Sequence, residues 1–223
     1  LPTSIGTAAL RKAAMAGDPA AAYEVGIRFA DGRGTAQNYE AAAYWLQRAV
    51  KAGLAPAQLR LGALYENGLG IGKDLARAHD LYLAAAEQGN GKAMHNLAVL
   101  YAEGASGTPD YQNAAAWFRK AADRGIRDSQ YNLGILYARG VGVEKNDVES
   151  YKWFALAAVQ GDADAAKKRD AIASHLDAQS LASARLAVKH WSAEPQPEQA
   201  ITVKPAAAWG TPPKARVAAR QNP

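Results

Sequence analysis

Apolar residues in this chain recur at three- and four-residue spacing, the mark of one helical face, and the helical blocks themselves repeat. A shift of 36 residues brings Val25, Leu61, Leu97 and Leu133 into coincidence, and with them Phe29, Tyr65, Tyr101 and Tyr137. A second block carries Trp45, Leu81, Trp117 and Trp153, each followed at once by Leu46, Tyr82, Phe118 and Phe154. Four residues after that first series stand Ala49, Ala85, Ala121 and Ala157, small enough to let the next unit approach closely. Two amphipathic helices per period predict helical hairpins. A fixed period of this length predicts a solenoid, in which no unit buries its apolar face alone. The expected fold is an all-α solenoid of helix–turn–helix hairpins.

The residues between the apolar blocks keep the same register. Gly32, Gly68, Gly104 and Gly140 are predicted left-handed caps that stop the first helix of each unit, and Gly53, Gly89, Gly125 and Gly161 end the second. Asn38, Asp74, Asp110 and Asn146 are predicted N-caps of the second helix. Gly26, Gly62, Ala98 and Gly134 sit inside the first helix, where glycine costs about 1 kcal/mol relative to alanine. A small residue there in every copy predicts a neighbouring helix packed on the backbone.

These signals divide the chain. Residues 1–19 form an N-terminal segment with a lone packing helix near Leu10, and Asp18-Pro19 cap and open the next helix. Four units span 20–164, namely 21–56, 57–92, 93–128 and 129–164. Residues 165–191 break the period but stay helical, with Asp177 as an N-cap and Leu181, Val188 and Trp191 on one apolar face, and are expected to cap the stack. The Lys167-Lys168-Arg169 cluster suits the polar outer side of that cap. From 192 to 223 prolines and alanines dominate without apolar period, which predicts a disordered tail carrying Trp209 as a short docking motif.

Composition narrows the function classes. Residues 1–164 hold 17 Lys/Arg against 17 Asp/Glu and residues 165–223 hold 9 against 4, so the whole excess of +5 lies beyond the repeats. A neutral array has no basic stripe for nucleic acid, and none is expected as a partner. There is no cysteine, so no disulfide or thiolate chemistry is expected. No apolar run approaches the roughly 18 residues of a membrane span. The sequence begins Leu1-Pro2 rather than with methionine, which predicts excision from a longer protein whose targeting segment lies upstream.

Catalytic chemistry finds little support. Gly68-Leu69-Gly70-Ile71-Gly72 has no preceding strand and no following Gly-Lys-Ser/Thr, so it reads as a structural loop rather than a phosphate cradle. His79, His95, His175 and His190 lack metal-ligand spacing, and no serine sits in a nucleophile elbow. Asp31 and Glu103 occupy equivalent repeat positions, which accounts for both without acid–base catalysis. Neither an enzyme nor a cofactor or metal is expected.

The run Ser129-x-x-x-Leu133-Gly134-x-x-Tyr137-x-x-Gly140-x-Gly142, followed by Trp153-Phe154 and Ala157-Ala158, resembles the Sel1-like repeat, a 36-residue relative of the tetratricopeptide repeat. Ala98, Ser106 and Ser150 depart from the pattern at a helix glycine, a loop glycine and a second-helix alanine. The resemblance implies a right-handed α/α superhelix that binds proteins. The stretches Met94–Gly104, Asp128–Glu144 and Ser150–Ala158, with the capping residues and proline-rich end, are also similar to the C-terminal region of alphaproteobacterial PodJ-type polar localisation proteins. That resemblance implies a coiled coil and a membrane span upstream, a periplasmic location, and a role in recruiting partners to the cell pole.

In tetratricopeptide-like stacks the first helices line the concave face. Carrying that geometry over places Tyr23, Arg60, His95, Asn96, Tyr131 and Asn132 on the inner wall, with Glu103 and Arg139 near the ends of the same helices. Amides can bond a peptide backbone, rings can cover its side chains and Arg60 can pair with a carboxylate. The expected partner is therefore a protein or extended peptide in the groove. Tyr23, Leu59 and Tyr131 alternatively just pack on the adjacent unit. A peptidoglycan-binding or cell-wall-enzyme-associated module, a secreted periplasmic signalling regulator and a self-associating scaffold stay open as alternatives.

Overall fold

The computed structural model describes residues 1–105 and 107–209, so Ser106 and the end of the expected tail, with Pro212 and Pro213, lie outside the described residues. A 3-10 turn at Thr3–Ile5 leads into α1 (Ala8–Met15). Four hairpins follow: α2 (Pro19–Asp31) with α3 (Tyr39–Val50), α4 (Ala55–Asn67) with α5 (Leu75–Glu87), α6 (Gly91–Glu103) with α7 (Tyr111–Asp123), and α8 (Arg127–Arg139) with α9 (Asp147–Val159). Helices α10 (Ala163–Ala173) and α11 (Ala178–His190) close the stack, and a short α12 (Glu198–Ile201) and a 3-10 turn at Ala207–Trp209 complete it. Each helix packs on its hairpin partner and on the neighbouring unit, and no strand occurs among the described residues.

The helix boundaries follow from their caps. Asn38, Asp74, Asp110 and Asn146 each accept a backbone N–H three residues on, at 2.9, 2.9, 3.0 and 3.0 Å. A cap of this kind contributes about 1 kcal/mol. Asp18 caps α2 and Asp177 caps α11 in the same way, both at 2.8 Å. The first helices stop at Gly32, Gly68, Gly104 and Gly140, all left-handed. Their backbone N–H returns to a carbonyl four residues back, and side chains other than glycine strain that conformation.

Close packing inside each hairpin explains the helix glycines. A Cβ on Gly62 would stand 2.7 Å from Tyr82 Cε1, and one on Gly134 would stand 2.9 Å from Phe154 Cδ1. The second helix thus presses its ring on the bare backbone of the first. The second loop glycine works between units: at Gly142 an added Cβ would fall 2.0 Å from the Tyr111 carbonyl oxygen, at the start of the preceding unit's second helix. Val25, Leu46, Tyr82, Leu97, Leu133, Trp153 and Phe154 form the buried spine, whereas Leu81 and Trp117 are only half-buried.

At the C-terminal end Leu181 and Val188 pack on Tyr151 and Ala155 of α9, and Trp191 turns inward with the cluster around Phe118 and Trp153. The expected disorder from 192 onward is corrected for residues 192–209. The Glu194 N–H donates to the Asp123 carbonyl at 2.8 Å, α12 lies against α4, and Ala200 and Trp209 are 0% and 6% exposed. Periodicity detects a segment that buries its own apolar face. It is blind to a segment without a face that is ordered by a groove built from other residues.

Candidate functional site

The first helices α2, α4 and α6 line one groove, on the wall that tetratricopeptide-like stacks present as their concave face, and α8 follows in the next unit. Between α2, α4 and α6 lies a groove of about 610 Å³ bounded by Tyr23, Leu59, Arg60, His95 and Asn96, and on its open side by Gln196 and Ile201. Four expected binding residues therefore share one groove. Their equivalents Tyr131 and Asn132 stand one unit further along on α8, and Glu103 and Arg139 lie exposed at the far ends of α6 and α8, away from that groove.

Three rings at equivalent repeat positions, Tyr23, His95 and Tyr131, each reach the next helix along the wall, whereas the second unit carries Leu59 there. The Tyr23 hydroxyl lies beside Arg60, and burial pushes its pKa up. His95 Nδ1 is 2.8 Å from Ser129 Oγ on α8, and its ring lies 5.6 Å from that of Phe118. Burial pushes the His95 imidazole below its usual range, against the opposing pull of the Asp128 carboxylate. Tyr131 donates its hydroxyl to Asp164, at the start of α10, and stacks edge-on against Phe154 at 5.7 Å. The bond to Asp164 is the main cause that pushes Tyr131 up to about 12. These rings brace neighbouring units, and Tyr23 and His95 also line the groove.

The amides differ from each other. Asn96 lies beside the Tyr82 hydroxyl, which donates to Glu66 Oε2 at 2.5 Å. Asn132, whose neighbour one period on from Tyr82 is Phe118, makes no side-chain hydrogen bond among the described residues. Arg60 is exposed at the groove lip.

Residues that the sequence did not single out hold the tail on this wall. Asn90 caps α6 through Oδ1, 2.9 Å from the Ala93 N–H, while its Nδ2 donates to the Ala200 carbonyl at 2.5 Å. Gly91 N–H donates to Gln196 Oε1 at 2.8 Å, and Arg124 pairs with Glu194 at 3.3 Å. At the α2 end Trp209 settles against Leu10, Ala20, Tyr23 and Arg28, and Thr7 Oγ1 donates to the Trp209 carbonyl at 2.7 Å. The cap role of Asn90 was legible, since Asp18 and Asp162 cap at the same repeat position even though Leu54 and Ile126 do not; its second bond had no local signal.

No group of three or more metal-binding side chains occurs among the described residues, and no described helix is long and apolar enough to cross a membrane. His79 Nε2 lies 3.0 Å from the Tyr101 hydroxyl, joining adjacent units. What the concave wall offers is hydrogen-bonding amides and backbone, aromatic edges and the exposed Arg60 guanidinium, a chemistry of recognition.

Comparison with known proteins agrees with that architecture. The sequence matches the Sel1 repeat over residues 19–54, 55–90, 91–126 and 127–162, each unit beginning two residues earlier than the apolar register suggests. A Sel1 repeat protein from Oxalobacter formigenes is 30% identical, superposes with a TM-score of 0.67, and shares 78% of this chain and 74% of its own. The protein c5321, a protective antigen of uropathogenic Escherichia coli displaying an SLR fold, is 24% identical over 90% of this chain and 56% of its own, with a TM-score of 0.43. No curated protein matches the sequence. Four in-register units, their capping and the superposition lead to one conclusion: the chain belongs to the Sel1 repeat family, a scaffold fold that commonly mediates protein–protein interaction.

Proposed function

We propose that this chain is a non-catalytic scaffold that holds an extended peptide of a protein partner on its concave face. The observation that carries the reading is the seating of residues 194–209: a segment with only two short turns of helix lies along α6, α4 and α2 with its backbone bonded by Asn90 and its terminal ring in a pocket. A wall that accommodates one such segment has the shape and the donors for others. Further along on α8, Asn132 and Arg139 make no hydrogen bond or ion pair to that segment among the described residues and give a partner a first foothold. The similarity to PodJ-type proteins supports a periplasmic site of action and partner recruitment at the pole.

The test is recovery of partners from envelope extracts by the wild-type chain and by Asn96→Ala/Asn132→Ala. Loss of a defined partner in the double variant supports the groove, and unchanged recovery refutes it. Location is tested separately with an alkaline phosphatase fusion to the native full-length protein, active outside the cytoplasm alone. The glycan-binding alternative is weakened by the packing of the rings a sugar would use, since Trp209 is buried and Trp191 half-buried. Retention on purified sacculi would revive it.

A further inference from the structure

We propose that the α2–α6 half of the concave face is a two-point peptide site occupied in cis by residues 194–209, and that ligands of the site bind by displacing this strap. The inference rests on the reading of the concave face as a peptide site and adds how that site is regulated and what it recognises.

The first point is the corner where α5 gives way to α6. Asn90 Nδ2 donates to the Ala200 carbonyl at 2.5 Å and the Gly91 N–H donates to Gln196 Oε1 at 2.8 Å. Pro197 lies so close over Gly89 that a Cβ there would come within 2.7 Å of Pro197 Cδ. Ala200 is wholly buried, so the corner admits only a small residue at that place. The second point is the Trp209 pocket at the α1–α2 end, with the Trp209 carbonyl held by Thr7 at 2.7 Å. The preferred ligand is a proline-containing peptide that makes one helical turn around an alanine-sized residue at the first point and places a tryptophan-sized ring nine positions later. Arg124, paired with Glu194, favours a carboxylate ahead of the small residue.

Three features mark the strap as a ligand rather than a fifth unit. It makes no helical hairpin, and its regular structure amounts to one four-residue helix and one 3-10 turn. Between its anchors Thr202 and Lys204–Ala207 are exposed, and Lys204 bonds within the strap to Glu198 at 2.9 Å rather than to the wall. Among the strap's described side chains only Ala200 and Trp209 are buried, Trp209 joining the apolar cluster beside Leu10, while Glu194 is held at the end of α7. A tethered ligand has an effective concentration in the mM range, so it shields the site strongly even when its own contacts are few.

The test uses the full chain and alters the strap alone. Ala200→Arg/Trp209→Ala removes the small residue and the ring, leaving every groove residue in place. The probe is a fluorescent peptide with the sequence of residues 192–209, titrated by anisotropy. The released variant is expected to bind it at least ten-fold more tightly than wild type, and Asn90→Asp added to that variant is expected to weaken binding again. Equal affinity for wild type and released variant, or no binding to the released variant, overturns the proposal. Hydrogen exchange separates displacement from damage: amides 198–203 should lose protection while α4 and α6 keep theirs, and loss of protection in α4 and α6 would show that the strap is part of the solenoid itself. If the peptide binds only the released variant and that variant gains no envelope partner sensitive to Asn96 and Asn132, the cis occupancy stands and the scaffold reading falls.

Discussion

Asn90 bonds two segments at once: its Oδ1 caps α6, and its Nδ2 reaches the Ala200 carbonyl across 110 residues of sequence. A carboxamide accepts at one atom and donates at another, so one residue both starts a groove helix and holds the strap on it.

Asn90→Asp keeps the acceptor and deletes the donor. The solenoid should melt within about 1 kcal/mol of wild type, the net worth of one hydrogen bond, while amides near Ala200 exchange faster. Asn90→Ala removes both functions and should cost about 1 kcal/mol more through the lost cap. Urea denaturation with amide exchange separates the two variants.

Gly62→Ala places a Cβ 2.7 Å from the buried Tyr82 ring. Overpacking of this kind costs about 1–3 kcal/mol and outweighs the roughly 1 kcal/mol gained in helix propensity. Chemical denaturation should show net destabilisation. The third unit, with Ala98 at this position beside Phe118, already carries the methyl, so Ala98→Gly should destabilise as well, there through helix propensity and lost packing.

His95 makes stability depend on pH. Its folded pKa is depressed below 6.5 by burial, so the unfolded chain takes up a proton first as pH falls. Stability is complete above about pH 6.5, declines as pH drops through that value, and stops declining below the depressed folded pKa. Asp128, across on α8, opposes the depression and limits its size. Urea midpoints between pH 7.5 and 5 should fall in wild type and fall less in His95→Gln, which retains a hydrogen-bonding group towards Ser129.

Tyr131→Phe removes the donor that holds the Asp164 carboxyl below its ordinary range. The Asp164 titration midpoint, followed by carboxyl NMR shifts, should rise towards the usual carboxylate value. Wild type keeps the contact above that value and loses it as pH falls through the depressed one. Both groups are at the surface, so the melting temperature should hardly move.

The period, the caps and the helix glycines were legible because each is a local rule with a local cause. Asn38, Asp74, Asp110 and Asn146 cap helices through a bond to a residue three positions on. Gly32 and its equivalents adopt a conformation that other residues resist. The inner-wall placement of Tyr23, Arg60, His95 and Asn96 came from register carried over from related stacks, and those residues do share a groove. Register could not say which groups there had already found partners. His95 is engaged with Ser129 and Tyr131 with Asp164, while Asn132, equally polar on paper, is not.

The strap shows the boundary most clearly. Nothing in the stretch from Glu194 to Trp209 repeats, alternates or forms a continuous apolar face, so its sequence alone predicts disorder. What orders it lies elsewhere in the chain: a cap amide at Asn90, a backbone N–H at Gly91, a hydroxyl at Thr7 and a pocket beside Tyr23. The sequence by itself determined the repeating hairpins, because each unit encodes its helices and caps within its own 36 residues. Only the tertiary structure decided what occupies the concave face, because the superhelix brings those distant donors and apolar walls together once the units have stacked.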